Sequence, residues 1–248
     1  MDIGKSFSYV FEDKDWVKKV AIGGLLTLVP IVNFIPSGYG LRVLKNVSEA
    51  KERPLPEWDD WGGDFLKGLM IVVASLIYAI PIFILQAFSF AVSAVAGSSG
   101  SSDAQGALGV CLFGLSCLYA LWGLAMGIVL PAATAKYARS GEFASFFRFG
   151  DIFRFIGANL GDYIIALLLS LAAVIVAAVA GSILCVIGLI FTMFWASMVS
   201  MHLLGQIGAE PTPPATVTPE VPTSGPSYGE LTQVDLSAPK DDKPANES

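Results

Sequence analysis

LGDYIIALLLSLAAVIVAAVAGSILCVIGLIFTMFWASMVSMHLL, residues 160–204, carries a single acidic side chain, Asp162, and no lysine or arginine. One continuous helix through it would be about 68 Å long at 1.5 Å per residue, more than twice the roughly 30 Å of a bilayer's hydrocarbon core. The chain must therefore turn inside the run. Ala180–Gly181–Ser182 offers the smallest side chains, which divides the run into spans 160–180 and 183–204.

The rest of the chain follows the same logic. Of 248 residues, 54% are hydrophobic and only 15% charged, against about 25% charged in soluble domains. The mean hydropathy is +0.65. Residues 65–96 hold one charge, Lys67, and can cross once if tilted or kinked at Pro81. Residues 107–135 cross again, after the polar loop GSSGSSDAQG (97–106), which lacks any basic residue. This predicts an all-α, polytopic helical membrane protein of four to five spans with interfacial amphipathic helices, multi-pass in the cell membrane, its principal partner the lipid bilayer.

Most of the net charge of −6 comes from residues 205–248, a Pro/Thr/acidic tail that holds seven acidic residues and two lysines. Such a segment buries too little apolar area to offset its ordering entropy and is expected to be disordered. No basic stripe with interleaved aromatics occurs, so nucleic acid is excluded as a partner. Cys111, Cys117 and Cys185 lie inside apolar runs and read as packing residues. Asp2, Glu12, Asp13 and Asp15 do not suit a secretory leader.

Residues 20–44 are apolar but interrupted by Pro30, Pro36, Gly38 and Gly40. They form either a minimal span or a re-entrant pair of half-helices. Asn33 is the candidate polar site for satisfying the backbone groups such a break frees. In residues 1–19, Ile3, Phe7, Val10, Phe11 and Val17 share one helical face and Lys5, Ser8, Glu12, Asp15 and Lys19 the other, as in a helix lying in the membrane interface. Residues 143–157 repeat the theme. Phe143, Phe146, Phe147, Phe153 and Ile156 share a face, with Arg148, Asp151 and Arg154 placed for i,i+3 ion pairs. If 20–44 re-enters, all basic segments and both termini fall on the cytoplasmic side.

RPLPEWDDWGGDF (53–65) joins two apolar runs at the lip of the membrane. Trp58 and Trp61 suit the interface, and Asp59 or Asp60 can cap the following helix. Pro56, Glu57, Trp58, Asp59, Asp60 and Trp61 form a candidate interface or docking motif. A cation site is the competing reading of the four carboxylates, without His, Cys or EF-hand spacing to support it. GYGLRVLKNV (38–47) followed by LPEWDDWGGDFLKGL (55–69) resembles a prokaryotic family of uncharacterised membrane proteins, the domain of unknown function numbered four thousand and thirteen. FEDKDWVKKVAIGGLL and HLLGQ (202–206) fit the same pattern, so the resemblance covers roughly 3–207. It implies a helical multi-span protein and no activity.

His202, the single histidine, reads as a hydrogen-bonding residue at the membrane interface. Gly123-x-x-x-Gly127 and Ala173, Ala177, Gly181 place small residues on single helix faces, for packing within the chain or in a homo-oligomer. No span carries a charge at its middle, which argues against an ion-coupled transporter. Neither a nucleophile elbow, a zinc motif nor a phosphate loop occurs. No metal or cofactor site is expected. The sequence therefore points to a non-enzymatic component that organises or assembles membrane-protein partners. The alternative is a channel or passive permease built on 20–44.

Overall fold

The computed structural model describes residues 1–99, 102–183 and 185–209, with side chains left aside at 96–99, 102–104 and 185–187. Residues 210–248, nearly all of the expected tail, lie outside the described residues. Among those described there are eight α-helices, one 3-10 turn and no strand. The helices are α1 (Ile3–Glu12), α2 (Trp16–Thr27), α3 (Phe34–Ser48), α4 (Trp61–Ser99), α5 (Ser102–Ser140), α6 (Phe149–Ala158), α7 (Leu160–Ile183) and α8 (Cys185–Gln206). The 3-10 turn is Phe143–Phe147. Four helices, α4, α5, α7 and α8, are long and apolar enough to cross a membrane. The protein is an all-α polytopic helical protein.

The four long helices form two antiparallel hairpins. In α7–α8, Ala173, Ala177 and Gly181 are buried, and Thr192 Oγ1 donates to the Ala177 carbonyl at 2.8 Å. A Cβ on Gly181 would overlap the Leu189 backbone. Gly181 therefore does not make the turn expected at 180–182. The helix runs through it to Ile183, because its missing side chain serves helix contact instead.

In α4–α5, each helix contains a proline, Pro81 and Pro131, whose missing N–H leaves the ladder incomplete. A donor from a neighbouring helix stands at each place. Trp122 Nε1 donates to the Tyr78 carbonyl at 3.1 Å, and the Tyr163 hydroxyl donates to the Ile128 carbonyl. Each carbonyl lies three residues before its proline, one residue past the carbonyl that loses its N–H partner, so these bonds brace the helix beside the break without replacing the missing bond.

The broken run 20–44 resolves into α2 and α3, about 18 and 22 Å long at 1.5 Å per residue, each shorter than a bilayer core. The break is at Leu28–Asn33, around Pro30, with Ile31 at φ 76°. Pro36, Gly38 and Gly40, expected as interruptions, are all helical. Pro36 is the third residue of α3, where its N–H would be an orphan in any case. Gly38 is needed for contact: a Cβ there would meet the Asp64 carbonyl, as one on Gly68 would meet that of Phe34. The backbones of α3 and α4 thus lie directly against each other. The chain descends along α8, with Gly23 against Phe194 and Gly24 against Phe191, and returns with Gly40 against Met198 and Met201 and Gly205 against Val47.

The amphipathic segments are shorter than the sequence indicates. The face expected over 3–19 is cut at Asp13–Asp15, where Asp13 Oδ1 accepts the Asp15 N–H at 2.8 Å. Ser6, Tyr9 and Val10 of α1 are buried, while Ile3, Phe11 and Val17 are exposed. The 143–157 segment is a 3-10 turn and a separate helix joined at Arg148. Phe146, Ile152 and Ile156 face the core there, and Phe149 and Phe153 face outward. Helix α8 continues past 204 to Gln206, so the described fold extends a little into the region expected as tail.

Candidate functional site at the charged end

The hairpin registers bring the starts of α2, α4, α6 and α7 and the ends of α3, α5 and α8 to one end of the bundle. Every lysine and arginine of residues 1–209 belongs to this end. The opposite end holds the α4–α5 and α7–α8 turns. The tip of the α2–α3 hairpin stops short of it, its apolar residues Leu28, Val29 and Ile31 exposed.

The 53–65 stretch lies at the charged end and is folded inward as a latch. Arg42 of α3 is its hub. One guanidinium nitrogen donates to Asp59 Oδ1 at 2.7 Å, and the other donates to Asp64 Oδ2 at 2.7 Å and the Glu57 carbonyl at 2.8 Å. Burial pulls the Arg42 pKa down, but the bonds to Asp64 and Asp59 outweigh it and leave it raised. Asp64 is fully buried, and its Oδ1 has no partner among the described residues. Lys19 of α2 makes a second hub. Its ammonium is 2.8 Å from Asp13 Oδ2 and 2.6 Å from Glu57 Oε1. Burial pulls its pKa down, and the two carboxylates more than restore it, leaving it raised.

The apolar half of the latch is equally engaged. The Tyr39 hydroxyl donates to the Pro56 carbonyl at 2.7 Å, and its ring stacks on Trp58 with centroids 4.0 Å apart. Trp58 Nε1 donates to the Lys19 carbonyl, and Trp61 Nε1 to the Trp58 carbonyl. Asp60 is the cap of α4, accepting the Gly63 N–H at 2.9 Å, with Lys67 at 3.4 Å. Each of the four carboxylates therefore faces a basic side chain. No three His, Cys, Asp or Glu converge among the described residues. Glu57 and Asp59 of the candidate docking motif reach α2 and α3 through their ion pairs yet stay 69% exposed, and Asp60 and Trp61 are exposed as well.

The other singled-out residues match expectation only in part. Asn33 is exposed on the hairpin tip and makes no side-chain cap bond. Main-chain bonds close the break instead, Asn33 N–H to the Val29 carbonyl at 3.0 Å among them. His202 is buried beneath α1. Its Nδ1 is 3.0 Å from both Ser6 Oγ and Gln206 Nε2, and its ring stacks on Tyr9 at 4.3 Å. Arg154 pairs with Asp151 at 2.7 Å as spaced, whereas Arg148 turns to Glu142 at 2.7 Å because the chain bends at Arg148 itself. Gly123 and Gly127 have no other described residue within 4 Å of where a Cβ would stand.

The family model described as "Protein of unknown function (DUF4013)" matches residues 22–186. The chain belongs to the DUF4013 family. The match runs from α2 to the start of α8 and contains the whole Arg42 latch. It is narrower than 3–207, leaving out α1 and most of α8. No curated protein and no solved structure matches the chain.

Proposed function

We propose that this DUF4013 protein is a non-enzymatic organising or assembly component of the cell membrane. Its charged end faces the cytoplasm, a placement that the concentration of basic residues there supports. The observation that carries the reading is the state of the α4–α5 hairpin. Its outer surface is open among the described residues, with Gly123 and Gly127 meeting none of the others and Phe83, Phe90, Phe113 and Leu121 exposed. Small residues on an open helix face permit close approach of another transmembrane helix, from a membrane-protein partner or a second copy. At the polar end, by contrast, the four carboxylates of 53–65 are held in ion pairs with Lys19, Arg42 and Lys67.

A photo-crosslinker at Gly123, activated in intact membranes, tests this. Discrete protein adducts that disappear when Gly127 is changed to Leu support the reading, and lipid adducts alone refute it. Passive permeation through 20–44 is the alternative. It needs a water path at Asn33, and ion flux through reconstituted liposomes above that of empty vesicles would favour it.

A further inference from the structure

Two adjoining clefts at the charged end are lined by cations. One, of about 250 Å³, lies between the end of α5, the 3-10 turn and the start of α6. Lys136, Arg139, Ser140, Ser145, Arg148 and Asp151 line it. The other, of about 220 Å³, shares Arg139 and Ser140, adds Arg42, Lys45 and Lys67, and has no carboxylate in its wall.

The charges in the first cleft are unequally balanced. Arg148 and Asp151 have partners in Glu142 and Arg154. Lys136 and Arg139 have no carboxylate partner among the described residues. Arg139 is held in place by the end of α8, donating to the Gly205 and Ile207 carbonyls, and lies 5.4 Å over the Phe155 ring. Its Nε is buried without a hydrogen bond. Ser145, 3% exposed, also lines the cleft with an unpartnered hydroxyl. A buried donor left unmet is a cost that a bound acceptor removes.

These groups call for an anion rich in acceptor oxygens, of which phosphate is the common one. Phe149 and Phe153, 46% and 58% exposed, put an apolar outer face on α6, the helix whose start lines the cleft. We propose that the cleft bounded by Lys136, Arg139 and Ser145 binds the phosphate of an anionic lipid headgroup, with the acyl chains along α6. Basic pockets between membrane helices are suited to this. The inference stands apart from the assembly role, since a protein without partners could still hold the lipid.

Native mass spectrometry of the full chain in detergent tests it, with phosphatidylglycerol, phosphatidylcholine and inorganic phosphate as probes. Phosphatidylglycerol should bind in preference to phosphatidylcholine. Lys136→Gln should weaken it about fivefold, the effect of one cation near a headgroup, with unchanged thermal stability. Ser145→Ala should weaken it less, and Lys14→Gln, at a different cleft, not at all. Inorganic phosphate bound without any lipid preference would keep the anion site and overturn its lipid source. Equal binding of the two lipids without phosphate binding, or equal behaviour of Lys136→Gln and Lys14→Gln, would overturn the site itself.

Discussion

Asp59 and Asp64 share Arg42 at the same 2.7 Å but differ in surroundings. The Asp64 side chain is 0% exposed and that of Asp59 69%. Removing one partner of a buried pair costs about 3–5 kcal/mol when the other charge is left alone, whereas exposed pairs are screened. Asp59 and the Glu57 carbonyl still hold Arg42 when Asp64 is removed, so thermal unfolding in detergent should show a clear loss below that range for Asp64→Ala and little change for Asp59→Ala. The Lys19 pair responds to pH at its limits. Burial works to raise the Asp13 pKa, but the bonds from Lys19 and the Asp15 N–H lower it overall. A lowered folded-state carboxylate stabilises above its unfolded value and loses that contribution as pH falls through the folded one. The raised Lys19 contributes fully below its unfolded value and is lost only as pH rises past the folded one. The stability gap between the protein and Asp13→Asn should thus be level from about pH 5 to 9 and shrink below about pH 4. A gap that grows with acid would contradict the pairing.

Elements differ in how much the sequence discloses. Span number follows from run length against bilayer thickness, so the four long helices were legible. The α2–α3 hairpin was legible only as one of two options, because the prolines and glycines of 20–44 do not say which of them breaks the helix. Gly38 and Gly181 are contact glycines, and that role depends on the partner backbone. The 53–65 stretch announced a helix start and interface tryptophans. Its tie to Arg42 and Lys19 joins residues far apart in the chain, which no local pattern encodes. The burial of His202 was hidden for the same reason: its partner Ser6 is at the other end of the described chain. Substitution separates contact from open glycines. Gly181→Leu should prevent stable α7–α8 pairing, read as loss of the folded monodisperse species, while Gly127→Leu leaves monomer stability unchanged. Tyr163→Phe removes the donor beside Pro131 and should cost about 0.5–1.5 kcal/mol.

At the scale of the whole molecule, both ends of the α2–α3 hairpin and every basic segment of the described fold lie at one end of the bundle, which the proposed orientation sets at a single membrane face. Cysteine labelling in intact and opened vesicles reads this directly, with Cys111, Cys117 and Cys185 first replaced by alanine. Single cysteines at Lys5, Ser48 and Gly141 should react with an impermeant reagent from one side, and one at Gly106 from the other. Labelling of Lys5→Cys and Ser48→Cys from opposite faces would mean that residues 20–44 cross the bilayer, and would contradict the account.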